Sequence, residues 1–221
     1  MFKVVPTNKP PTKRGILSTV ISLFVPLGFL SPFILPVKVL PQELWRMGIQ
    51  WHECLPEPLL TQRHGWMESL LLVAKIKIPR CFRNPSHDTT TSVQLHYFSD
   101  ASNNGYASVS YLRLADDRGR VNYAFVMGKT RNTLQKQWSV PRLELQAPVV
   151  CTRLHMLIHD ELDLPTPSAR HLQYITNEKR RFKPFIANRV NEIHGAASAP
   201  EQWRHVPTSL RSEERRVGKE C

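Results

Sequence analysis

The chain has 221 residues, of which 41% are hydrophobic and 22% charged, and a net charge of +12. These are globular proportions, with room for one domain plus an extension or for two small domains. The basic balance favours a polyanionic partner, either nucleic acid or an acidic membrane surface, over a basic protein with no such partner. Four scattered cysteines, Cys54, Cys81, Cys151 and Cys221, form no C-x-x-C pair. That excludes a zinc knuckle or a redox motif and suits a reducing, intracellular setting, cytoplasmic or nuclear.

Residues 1–14 are polar and proline-rich and read as a linker or a severed edge. Residues 15–35 carry no charge, and about 20 apolar residues suffice to span a bilayer. Pro26, Gly28, Ser31 and Pro32 interrupt the run and Pro36 ends it. It therefore reads as a buried helix, a Pro-Gly bend and a second helical start, with a membrane anchor as the disfavoured alternative. Residues 15–82 are predicted mainly helical, since 40–47 and 66–73 place apolar residues at three-to-four spacing. Residues 76–80 are a candidate short strand, and 83–91 form a polar loop that serves as the domain boundary.

From residue 92 the period changes to two: Val93, Leu95 and Tyr97 alternate with Gln94, His96 and Phe98. Turn residues at 103–105 and 116–119 separate two further strand-like runs, 106–114 and 121–127. Three strands joined by two tight turns predict an antiparallel meander. Pro141 suits the first turn of a helix over about 142–162, with Pro148 inside it. Phe182, Phe185, Ile186, Val190 and Ile193 mark a last amphipathic helix, and 202–206 is a final strand candidate.

Several blocks in this chain resemble Bel/Pao-type retrotransposon polyproteins. They are K-R-G-I-L-S-T-V-I-S-L-F-V-P-L-G-F-L from Lys13, Q-E-L-W-R from Gln42, H-Y-F-S-D-A-S from His96, P-R-L-E-L-Q-A from Pro141, L-Q-Y-I-T-N-E-K-R-R-F from Leu172 and Q-W-R-H-V-P-T from Gln202. The resemblance implies a helical reverse-transcriptase connection over 15–82. A truncated ribonuclease H-like domain follows over 92–208, an α/β fold built on a mixed sheet. It implies cleavage of the RNA strand of RNA–DNA hybrids with two divalent ions, usually Mg2+, and association with other parts of the polyprotein. Asp100 matches the family's first aspartate and Glu144 its glutamate, the two candidate catalytic and metal-binding residues. The third acid should lie in a strand just before Leu172. Residues 165–171 read P-T-P-S-A-R-H and hold no acid, so that strand is expected to be deleted. The fourth should follow the V-P-T at 206–208, where the chain passes instead into 211–221, a string that resembles a translated sequencing adapter.

Magnesium requires several oxygen ligands in near-octahedral geometry, and two carboxylates meet that requirement poorly. A degenerate, inactive ribonuclease H-like domain with weak nucleic-acid affinity is therefore expected. The alternatives are an active ribonuclease H-type nuclease, a membrane-anchored basic protein, and an aspartic peptidase. The last rests on a family label and lacks the Asp-Thr/Ser-Gly loop that chemistry needs. Lys179, Arg180, Arg181, Lys183 and Arg189, flanked by Tyr174 and Phe182, form the densest basic cluster. They are the candidate nucleic-acid contacts, with a solvated helix end as the competing reading. His155 and His159 are four apart on one helix face but have no third metal ligand in view, and read as surface or packing residues.

Overall fold

The computed structural model describes residues 9–23, 25–79, 81–83, 89–133, 139–162, 168–170 and 184–196. In chain order these form α1 (Lys13–Ser22), a 3-10 turn (Pro26–Gly28), α2 (Ser31–Arg46) and α3 (Glu57–Val73). They continue as β1 (Thr90–Ala101), β2 (Gly105–Asp116), β3 (Val121–Asn132), α4 (Val140–Leu162), β4 (Ser168–Arg170) and α5 (Pro184–Ala196). No helix among the described residues is long and apolar enough to cross a membrane.

The uncharged stretch near the start is broken where its prolines and glycine predict. Thr12 caps α1, its Oγ1 accepting from the Gly15 N–H at 3.1 Å. The chain then reverses through Leu27 (φ 57°) and Gly28 (φ 79°). Pro36 does not end α2. The helix runs through Pro36 and Pro41 to Arg46. Each internal proline removes a backbone donor, at roughly 3 kcal/mol in an undistorted helix. The offset is an apolar stripe of Leu30, Ile34, Val37, Pro41 and Leu44, all buried. These side chains form a core with Ile16, Val20, Leu55, Leu59, Leu70 and Val73 from the neighbouring helices and the 47–55 connection. Residues 76–79 form no strand, correcting that expectation; the chain leaves α3 through turn-like hydrogen bonds from Lys75 and Ile76 back to Leu72 and Val73.

The meander forms as its alternation predicts. β1 pairs antiparallel with β2, and β2 with β3, in the sheet order β3-β2-β1-β4. A bulge interrupts the β2–β3 register at Ser110. The buried Ser110 hydroxyl fills it, donating to Met127 O at 2.9 Å and lying 3.1 Å from the Met127 N–H. At the β2–β3 turn, Asp116 Oδ1 accepts from the N–H groups of Arg118 and Arg120, and Oδ2 from Arg120 Nε at 2.6 Å. Gly119 (φ 74°) supplies the left-handed residue of that turn.

A short fourth strand forms in the stretch that carries no acid. Ser168–Arg170 lies parallel to β1, pairing Leu95 with Ser168, His96 with Ala169 and Tyr97 with Arg170. Ladder pairing uses backbone groups that every non-proline residue carries. Three residues without strong strand formers, placed after Pro167, can therefore occupy the position.

A parallel strand needs a crossover, and α4 provides it. α4 packs on β1 and β2 through Cys151, Leu154 and Ile158, which share a core with Leu95, Tyr97, Leu112, Leu114 and Val126. Its opposite side buries Leu145 and Val149 against Ile193 of α5, with Ile186 and Val190 alongside. Arg153 of α4 joins Glu192 of α5 at 2.6 Å. α4 is thus covered by the sheet on one side and by α5 on the other.

Candidate functional site

Asp100 is the penultimate residue of β1 and is exposed. Glu144 lies in the first turns of α4 and is half-buried. Because β3 runs parallel to β1 and α4 must return the chain to the start of β4, the first turns of α4 lie at the carboxyl end of β1. The topology therefore brings both acids to one end of the sheet. The pleat sets the face on which Asp100 lies. The β1–β2 register is unbroken from Ser92 to Ala101, so Asp100 shares the face of His96 and Phe98 rather than that of Leu95 and Tyr97. Glu144 shares the α4 stripe of Pro148, Cys151 and His155, which is the stripe turned toward Leu95 and Tyr97.

Tyr97, fully buried, brings its hydroxyl to 3.2 Å from His155 Nδ1, with the rings edge to face at 5.3 Å. His155 is therefore a buried packing residue, about three turns along α4 from Glu144. The hydroxyl of Ser99 and the Nε2 of Gln146 are buried with no hydrogen-bond partner among the described residues; they stand one residue from Asp100 and two from Glu144. Sequence reasoning singled out none of these three contacts or groups, since each depends on packing between elements some 50 residues apart.

On the face Asp100 shares, His96 lies 3.4 Å from Gln94 Oε1 and edge-on to Tyr123. Burial, with the Arg113 guanidinium next, holds its imidazole below the ordinary histidine range. Among the described residues, no group of three or more His, Cys, Asp or Glu side chains is placed to hold a metal ion. β4 adds no acid, reading Ser168-Ala169-Arg170. Among the described residues, the donor set does not fit a pair of divalent ions.

Of the basic cluster, Lys179, Arg180, Arg181 and Lys183 lie outside the described residues, as do 202–206 and the adapter-like 211–221. Arg189 lies on α5. Its Nη1 is 3.2 Å from Glu192 Oε2, its guanidinium carbon is 5.7 Å from the Phe185 ring centre, and its Nε is buried without a partner among the described residues.

Residues 12–173 match the family described as the Pao retrotransposon-like RNaseH-like domain. The chain belongs to this family. It is an RNase H-like domain of a retrotransposon polyprotein. The Pao RNase H-like domain is also similar to solved structures, at low identity. RNase H1 from the halophilic archaeon Halobacterium salinarum NRC-1 shares 12% identity at a TM-score of 0.31, over 56% of this chain and 89% of that one. LC11-RNase H1, isolated from compost by a metagenomic approach, shares 11% at a TM-score of 0.32, over 57% and 90%. The protease-reverse transcriptase of prototype foamy virus shares 14% at a TM-score of 0.29, over 94% of this chain and 26% of that one. A search of curated proteins finds no match.

Proposed function

We propose that this Pao RNase H-like domain binds RNA–DNA hybrid and does not hydrolyse it. The observation that carries the reading is the donor set at the carboxyl end of β1. Among the described residues, Asp100 and Glu144 are the acids there, and the strand beside β1 reads Ser168-Ala169-Arg170 in sequence. Two-ion hydrolysis needs carboxylates on both ions to hold the attacking and the leaving oxygen in line. With two acids among the described residues, that arrangement lacks its ligands there. The net charge of +12 supports retention of the polyanionic partner, through counterion release that any hybrid provides. In this reading the domain keeps the element order of a hybrid-cleaving fold and holds its substrate class through the basic surface.

The test uses the full chain and an end-labelled RNA annealed to DNA, with Mg2+ or Mn2+. The expected result is a retarded complex whose affinity falls steeply with salt. RNA cleavage should be no greater than that of an Asp100→Asn/Glu144→Gln double variant. Cleavage by the wild type that the double variant abolishes would show an intact nuclease and overturn the proposal. Failure to retard the hybrid at low salt would remove its binding half.

A further inference from the structure

The start of α1, the end of α2 and the 47–55 connection enclose a lysine between two tryptophans. Lys13 is 2% exposed, and its ammonium donates to Ile49 O at 2.5 Å. Nζ lies 4.4 Å from the centre of the Trp45 ring and 5.5 Å from that of Trp51. The two indoles meet edge to face, 6.1 Å apart at 89°. The backbone holds this arrangement: Arg14 N–H donates to Trp51 O at 3.2 Å, and Leu55 N–H to Pro11 O at 3.0 Å. The tryptophans nevertheless remain in water, Trp45 52% and Trp51 43% exposed, with Met47 beside them at 59%.

An exposed aromatic pair over a buried cation is selective. A free aromatic cage would suit a quaternary or methylated ammonium ligand. Here the chain's own Lys13 fills the cation position, so that class of ligand is excluded. The ammonium beneath draws π density inward, which leaves the outer indole faces suited to an electron-rich ring. Arg14, whose Nη1 lies 3.4 Å from His52 Nε2, and Arg46, next to Trp45 in the chain, are both exposed. Of the two acids nearby, Glu53 already accepts from the Gln50 N–H at 2.9 Å, and Glu43 is half-buried on α2. Stackable ring faces flanked by guanidinium groups fit a chain of bases joined by phosphates.

We propose that Trp45 and Trp51, with Arg14 and Arg46, form a stacking site for an unpaired nucleic-acid strand. Paired bases in a hybrid keep their faces inside the helix, so this site discriminates single strand from duplex. It uses none of Asp100, Glu144 or residues 179–189, and it stands whether or not the hybrid reading does.

The test is anisotropy of a labelled oligodeoxythymidylate of about 16 nucleotides with the full chain. Trp45→Ala/Trp51→Ala should bind about 5- to 150-fold more weakly, as expected for losing one stacked base. Trp45→Phe/Trp51→Phe should retain most of the affinity, and hybrid retardation should not change. In the wild type, a strand carrying 5-iodouracil should photo-crosslink to Trp45 or Trp51, located by mass spectrometry. The crosslink needs no variant and so does not depend on how the alanine variant folds. Equal affinity of wild type and the alanine variant, or crosslinks found only elsewhere, would overturn the proposal.

Discussion

At the scale of single residues, Asp116 shows how one carboxylate can set a turn. Its side chain is almost wholly removed from solvent. Burial alone would raise its pKa. The hydrogen bonds and charge of Arg120, with the Arg118 N–H, outweigh that and hold it below its ordinary value of 3.8. The folded state therefore binds its proton less readily than the unfolded chain. Stability from this carboxylate is fully present above the unfolded value and is lost as pH falls toward the lower folded one. Asp116→Asn should lower the urea midpoint at pH 6. The gap to wild type should close as pH drops through the carboxylate range, measured by circular dichroism at several pH values. A gap independent of pH would mean that the turn depends on shape alone.

Other single residues were less legible. Asp100 and Glu144 are visible in the sequence through the blocks that surround them. The Tyr97–His155 contact spans 58 positions, and nothing local marks a tyrosine on a strand or a histidine on a helix as partners. The orphaned Ser99 and Gln146 groups are equally silent, because an unsatisfied group is defined by what fails to reach it.

At the scale of elements, the meander was readable because each run alternates cleanly and ends in turn residues that match the observed reversals. α2 departs from its local signal at Pro36, where propensity gives way to the stripe from Leu30 to Leu44. A row of buried side chains can outweigh two lost backbone bonds. β4 has no local signal, because three residues behind two prolines carry no period at all. Its place is assigned by α4, which must deliver the chain beside β1. The Pro26–Gly28 turn is the most exacting of the short elements. A Cβ on Gly28 would stand 1.9 Å from Gly128 O of β3, and its φ is 79°. Gly28→Ala should therefore cost more than about 2 kcal/mol, combining left-handed strain with overpacking. Thermal unfolding followed by circular dichroism should show the loss, while Gly48→Ala (φ 74°, with open space around it) should show a smaller one.

At the scale of the whole molecule, the helical half and the sheet half each have a core, and they meet along β3. Phe29 lies against Phe125 at 4.2 Å between ring centres, and Gln42 Nε2 donates to Thr133 O at 2.8 Å. Between them a cavity of about 400 Å³ is bounded by Ile34, Leu35 and Lys38 on one side and Gly128 to Thr130 on the other. The join is thus specific at its ends and loose in its middle. It places the tryptophan pair on the helical half and Asp100 on the sheet half, so a strand held by one and a hybrid held by the other would occupy different surfaces of one body.

The meeting of Gly28 with Gly128 makes the two halves a lock and key that does not depend on the peptide between them. A protease cut in 83–88 should leave two pieces that travel together through gel filtration. Expressed as separate polypeptides, residues 1–82 and 89–221 should find each other and reassemble, and Gly28→Ala should keep them strangers.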